Sequence, residues 1–327
     1  MINRRYLGAV SALLFAAFAG HADAAGKYEG KKVLFIDSYH EGYAWSDGTL
    51  AGVQSILDPS GAELQVFRMD TKRKKTDEDK LAAAEMARNT IEQFNPDVVI
   101  ASDDNAAKYV IVPYYEDAAL PFVFCGVNWD ASGYGFPFKN VTGMVEVAAA
   151  DELFEFLNRL TDGRRVGYLA ADVFTAHKEQ ENIAKTFDIN FTDTRYATDL
   201  ADWQNKYRAL QSSVDILLVG NSAGTEGWDD DAAASFVEKN SKIPSGAIHE
   251  HMTRFALIGY TKLAEEQGEW AAKTALKIID GTSPADIPIA RNTQGRLVIN
   301  ARIAQGLGDD VTVALGDMLQ SADEVIE

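Results

Sequence analysis

Residues 31–57, KKVLFIDSYHEGYAWSDGTLAGVQSIL, decide the fold. Val33 to Ile36 are apolar without alternation, which marks a strand covered on both faces, as in a parallel sheet clad by helices. A polar and aromatic loop follows. Ser46 or Asp47 then caps a helix that runs on through Leu50 and Val53. Strand, loop and helix in this order form the first half of a β-α-β unit, and the unit recurs along the chain. ELQVFRMD (63–70), DVVIAS (97–102) and PFVFCG (121–126) read as further strands. DEDKLAAAEMARNTIEQF (77–94) and NAAKYVIVPYYEDA (105–118) read as the helices between them.

The glycine- and proline-rich passage GVNWDASGYGFPFKNVTG (126–143) interrupts the alternation, which then starts again. RRVGYLAA, FTDTRYA, VDILLVG and GAIH are strands of a second unit, separated by helices such as DELFEFLNRL and LADWQNKYRALQS. Near the end, GEWAAKTALKIIDGTSPADIPIA gives a helix stopped by Gly281, a loop and a strand. The fold class is therefore α/β, with two doubly wound, Rossmann-like lobes and a hinge at the glycine-rich passage. A chain of 327 residues also exceeds the size at which one core stops growing, so two lobes are expected.

The first 24 residues carry Arg4 and Arg5, an apolar run of about 15 residues and an Ala22-Asp23-Ala24 end. These are the parts of a signal peptide cleaved near Ala24. The run is shorter than the ~20 residues of a bilayer-spanning helix. A periplasmic location follows, with no membrane insertion after cleavage. Loss of residues 1–24 removes two arginines and one aspartate, taking the formal charge from -18 to -19. So anionic a chain repels nucleic acid and anionic lipid. Cys125 is the sole cysteine and sits in apolar PFVFCGVN, a buried small side chain rather than a reactive thiol.

VLFIDSYHEGYAWSDG, MDTKR, PDVVIASDDNAA, PFVFCGVN and the tail AAKTALKIIDGTSPADIPI with LVINARIAQGLG, taken in this order, resemble one family. It is the extracytoplasmic solute-binding proteins of the ABC-transporter substrate-binding class, which includes tryptophan- and tyrosine-binding members. The likeness covers essentially the whole mature chain. It implies the type I periplasmic-binding-protein fold, two α/β lobes joined by three crossings, here near 128–142, 252–260 and 284–296. Lobe 1 would comprise 25–140 plus 258–287, and lobe 2 would comprise 141–257 plus 288–327. The loop SYHEGYAWSDG departs from the aromatic amino-acid binders, which leaves the ligand open.

In open α/β sheets ligands sit at the carboxyl ends of strands, so the strand-end loops supply the candidate site residues. Ser38, Tyr39, His40 and Trp45 follow the first strand, and aromatic faces there can stack on a ligand for ~0.5–1.5 kcal/mol beyond area burial. Ser102, Asp103 and Asp104 follow the third strand. They either cap a helix or accept hydrogen bonds from a ligand ammonium or hydroxyl. Asn128 and Trp129 end the fourth strand beside the hinge. Phe174, Asn221, Ser222 and His249 hold corresponding places in the second unit. His249 and His251 are two imidazoles where zinc needs three or four ligands, so no metal and no cofactor is expected. MDTKRKKTDEDK reads as a solvated charge run.

GNSAG (220–224) matches the G-x-S-x-G turn of serine hydrolases. Yet Gly224 and Gly227 disfavour a helix starting at the serine, and only His249 and His251 follow it. The match reads as coincidence and the protein as non-catalytic. The expected role is a monomer that captures a small amino-acid-like, aromatic or hydroxylated molecule and delivers it to an ABC permease. The alternative is a ligand sensor docking on a membrane-bound kinase or cyclase. Both roles use hinge closure around a solute.

Overall fold

The computed structural model describes residues 26–327. The signal-peptide reading of residues 1–24 lies outside them. Among the described residues no helix is long and apolar enough to cross a membrane.

The chain runs through β1 (Lys32–Asp37), β2 (Glu63–Arg68), β3 (Val98–Ser102), β4 (Phe122–Asn128) and β5 (Val141–Glu146). Next come β6 (Val166–Ala171), β7 (Phe191–Ala197), β8 (Ile216–Val219), β9 (Ser245–Ala247) and β10 (Ile258–Lys262). It closes with β11 (Ala290–Arg291), β12 (Gly295–Asn300) and β13 (Glu324–Ile326). These strands form two sheets, ordered β11-β5-β4-β3-β1-β2 and β13-β12-β10-β9-β8-β6-β7. Every pairing is parallel except β10 with β12. The central strands β3, β5, β6 and β8 are buried along their whole length, whereas β2, at the edge, is largely exposed. The expected two-lobe α/β class is thus the observed one, and the apolar runs that announced it are the strands clad on both faces.

Sheet membership departs from the expected lobe limits. β5 pairs β4 in the first sheet, although residue 141 was expected to open lobe 2. β10 pairs β9 and β12 in the second sheet, although 258 was expected to return to lobe 1. The chain therefore crosses between Glu146 and the helix Ala150–Leu157, at Leu263, and between Arg291 and Gly295. The first two crossings fall later than expected. At the third, β11 pairs β5 in the first sheet, although residue 288 was expected to open the second stretch of lobe 2.

The helix Ala264–Ile279 returns to lobe 1 and packs closely on the helix Ala44–Leu57. Two glycines permit this approach. A Cβ on Gly268 would run into the carbonyl oxygen of Thr49, and one on Gly52 into that of Glu265. The same helix ties the crossings together through buried polar groups. Gln267 Oε1 accepts from the Gly126 amide at 2.9 Å, and its amide reaches the Val145 carbonyl. Asn292 Oδ1 accepts from the Val147 amide, and Glu266 accepts from the amides of Thr293 and Gln294. These bonds tie the backbone of the first and third crossings to the helix that follows the second.

Candidate ligand-binding site

The carboxyl ends of β1, β3 and β4 meet those of β9 and β10 across the gap between the sheets. A cavity of 280 Å³ is lined by Tyr39, Tyr43, Trp45, Lys72, Asp103, Asn128, Glu146 and Lys262. Beside it lies one of 210 Å³, walled by Asn128, Trp129, Glu146, Glu179, His249 and Lys262 among others. Asn128, Glu146 and Lys262 belong to both, so the two are compartments of one cleft.

Asp37 organises the lobe 1 wall from below. Fully buried, it accepts from the Ser46 hydroxyl at 2.8 Å, the Tyr39 amide at 2.9 Å and the Arg68 guanidinium at 2.6 Å. These bonds fix the β1 loop, so Tyr39 and Tyr43 meet edge to face with centroids 5.2 Å apart. Lys72 Nζ lies 4.3 Å from the Tyr39 ring centroid and 4.9 Å from that of Tyr43. Burial, and the negative charge of Asp103, push the Tyr39 hydroxyl far above its ordinary pKa.

Asp103 begins the helix after β3 with φ of 69°, a left-handed backbone that is uncommon outside glycine. Only 2% of its surface is exposed. One carboxylate oxygen accepts from the Ser102 hydroxyl at 3.0 Å. Burial first, then the nearby charge of Glu146, raise its pKa well above the carboxylate range. Gly126, with φ of 72°, lets the β4 backbone pass beside this carboxylate.

Glu146 and Lys262 sit at the first and second crossings and pair across the lobes. Burial raises the Glu146 pKa, and Lys262 opposes that shift. The Lys262 ammonium also lies 5.2 Å from the Trp45 ring centroid, a cation–π contact. On the lobe 2 side, His249 Nε2 is 2.7 Å from Glu179 Oε2 without hydrogen-bond alignment, and Tyr168 donates to the other Glu179 oxygen at 3.1 Å.

Of the sequence candidates, Tyr39, Trp45, Asp103, Asn128, Trp129 and His249 line the cleft. Asp104 stands behind Asn128, accepting from its amide at 2.6 Å and from Tyr134 at 2.8 Å. Ser38 and Ser102 lie behind the wall, fully buried. Ser38 donates to the Ser102 carbonyl and accepts from the Ala106 amide, so both serines hold the scaffold. His40 turns toward Asp70, with Nδ1 3.7 Å from its carboxylate. Phe174 is 74% exposed and lines neither compartment. Asn221 is 3.2 Å from His251, and buried Ser222 lines neither compartment. No helix starts at Ser222; the chain turns there, with Thr225 donating to its carbonyl.

Sequence reasoning missed Tyr43, Lys72, Glu146, Glu179 and Lys262. The aromatic density of 39–45 could have yielded Tyr43. The others lie on elements that the sequence reading did not assign to the cleft. Among the described residues no group of three or more metal-ligating side chains is placed to hold an ion.

Two α/β lobes, three crossings and a polar, aromatic-walled cleft at the facing strand ends define a solute-binding protein of the type I periplasmic-binding-protein class. More particularly, the chain belongs to the ABC transporter substrate-binding protein family, whose model matches residues 44–326. No curated protein matches it significantly. Among solved structures it is similar to a substrate-binding protein with adhesive properties from Clostridium difficile, determined ligand-free and open. That match has 16% identity and a TM-score of 0.65, and it covers 85% of this chain and 96% of the other. It is also similar to a Streptococcus pneumonia ABC domain in complex with L-Trp. Here the identity is 18% and the TM-score 0.52, with 90% and 99% of the two chains covered. A conserved domain protein from Vibrio cholerae matches at 20% identity and a TM-score of 0.50, covering 90% and 99%.

Proposed function

We propose that this protein captures a small amino-acid-like, aromatic or hydroxylated molecule in the interlobe cleft and hands it, chemically unchanged, to an ABC permease. It acts outside the cytoplasm, as a monomer. One observation carries this reading: both lobes contribute to the same two compartments, and the shared residues Glu146 and Lys262 sit at the crossings. A guest between the lobes touches the groups that bend when the lobes close, which is what couples capture to closure. The family assignment favours transport over the sensory alternative.

The test is a thermal-shift and calorimetric screen of amino acids, aromatic acids, amines and sugars, followed by X-ray scattering with any hit. At a hundredfold excess over Kd a ligand adds about 2.7 kcal/mol. The scattering radius should fall with the hit and stay fixed with non-binders. A hit recovered chemically altered refutes the reading.

A further inference from the structure

At the amino ends of β6 and β8, the ends turned away from the cleft, lies a separate cavity of 420 Å³. It is larger than either cleft compartment and shares no wall residue with them. Its floor is apolar, built by Phe154, Val166, Phe187, Ile189 and Ile216, and its rim carries Asp151, Glu155 and Asp188. Arg164 is the one cation in this wall. Its guanidinium is already taken up by the Asn158 side-chain oxygen at 3.0 Å and by the carbonyls of Thr161 and Gly163. Glu155 and Asp188 have no cationic nitrogen within 4.0 Å among the described residues. Glu152 registers this surplus of negative charge. Burial first, then the charges of Asp151 and Glu155, hold its pKa above the ordinary value, with Arg291 opposing.

The chain itself displays what this rim recognises. Arg291, on β11 of lobe 1, reaches over to lobe 2 and donates from Nη2 to Asp151 Oδ2 at 2.6 Å. Its guanidinium carbon stands 5.2 Å from the Phe187 ring centroid. Both partners line the cavity. Phe187 ends the helix Phe174–Phe187 and packs against the core clusters of both lobes, so the contact lies where the two halves meet. The Arg291 and Asp151 side chains are 43% and 40% exposed, which leaves the pair open to a solute that competes for it.

A planar cation laid on an aromatic ring beside a carboxylate is a favourable arrangement, and one end of the cavity already holds it. The apolar floor and two further carboxylates extend the same chemistry inward. We propose that this cavity is a second binding site, for a small organic cation with a flat apolar body, which competes with Arg291 for Asp151 and Phe187. The body lies on the floor between Phe154 and Ile216, and the amidinium, guanidinium or ammonium group meets the rim acids. Arg291 belongs to lobe 1 and its partners to lobe 2, so an occupied site loosens a tie between the lobes. Occupancy and hinge closure are thereby linked, and the linkage is reciprocal. The inference goes beyond the cleft reading and uses none of the cleft residues.

The experiment is calorimetry on the purified protein with four probes. Benzamidine is set beside its uncharged isostere benzamide, the anion benzoate, and methylguanidine, a cation without the ring. Benzamidine should bind roughly tenfold or more tighter than each of the others, because each lacks either the charge or the apolar body. E155Q/D188N should weaken benzamidine by roughly fivefold or more. R291M removes the internal competitor and should tighten benzamidine by about two- to fivefold, the worth of an exposed ion pair. An Arg291 that served only the fold would give weaker binding or no change on replacement. Glu155, Asp188 and Arg291 are exposed, so these variants leave the core intact. Any of the other three probes binding as tightly as benzamidine overturns the assignment, and so does an unchanged affinity in E155Q/D188N. An R291M variant that fails to gain affinity, or benzamidine that does not bind at millimolar concentration, overturns it equally. All these outcomes leave the cleft reading standing, since the solute screen tests that separately.

Discussion

Replacing Lys262 by Met removes the cation that faces Glu146 across the lobes while keeping a side chain of similar length. Glu146 is buried, so the deletion strands a carboxylate in a poorly solvated place. Breaking a buried pair costs about 3–5 kcal/mol, but the Lys262 side chain is 33% exposed and solvent screens part of that. A loss of about 2 kcal/mol is expected, or about 4–8 °C in Tm for a lobe of this size. The penalty should depend on pH in a fixed direction. Burial already holds the Glu146 pKa above its ordinary value, with Lys262 opposing, so the variant's carboxyl rises further. A carboxyl raised in the folded state binds its proton more tightly there. The penalty is therefore absent below the unfolded pKa near 4.3 and grows as pH climbs through the folded value. Thermal melts of K262M against wild type at pH 8 and pH 5 should show a large gap at the first and a smaller one at the second. The double variant E146Q/K262M, with no charge left to strand, should recover most of the loss at pH 8. A pH-independent penalty, or a double variant as unstable as K262M, refutes the reasoning.

Three further outcomes follow from the geometry. Gly268→Ala should destabilise lobe 1 by roughly 1–3 kcal/mol, because its Cβ meets the Thr49 backbone carbonyl; a lowered urea midpoint with unchanged slope checks this. Asp215, held by Arg165 through two side-chain bonds, has its pKa lowered to about 2. That contribution is present above the ordinary value of 3.8 and fades below it, so D215N and wild type should converge in Tm as pH falls from 4 to 2. Ser222 has no helix behind it, so Ser222→Ala should leave any turnover of a p-nitrophenyl ester at the wild-type level.

How much of the fold the residues announce depends on what each strand must bury. Val33–Ile36, Val98–Ala101 and Ile216–Val219 are apolar throughout because helices cover both faces, and such runs are legible from a single sequence. β5, VTGMVE, is equally buried but does not look it. Gly143 is there because the Phe124 ring occupies the place of its Cβ, and Glu146 because a cation from the other lobe will meet it. β10, IGYTK, ends in the lysine that makes that match. Each strand violates the apolar pattern for the sake of the other. Neither violation can be interpreted until the lobes are assembled, and that is why the first two crossings fall later than the local pattern suggests.

The same logic separates the cleft residues that could be foreseen from those that could not. Tyr39, Trp45, Asp103 and Asn128 were legible as cleft residues because strand-end loops in a doubly wound sheet face the crevice at the carboxyl ends of the strands. Position along the chain does not reveal which of them are needed as struts. Ser38 and Ser102 follow the same strands, yet their hydroxyls close hydrogen bonds that set the loop backbones. Lys72 is the converse. In MDTKRKKTDEDK it is one of several interchangeable-looking cations, and composition marks all of them as solvated. What singles it out is its neighbour Thr71, whose two bonds to the Ser38 carbonyl turn the following side chain over the aromatic wall. A threonine that orients the next residue leaves no periodic or compositional trace. Its effect exists only once β1, β2 and β3 lie side by side, which is the point at which one residue of a charge run becomes part of the cleft wall.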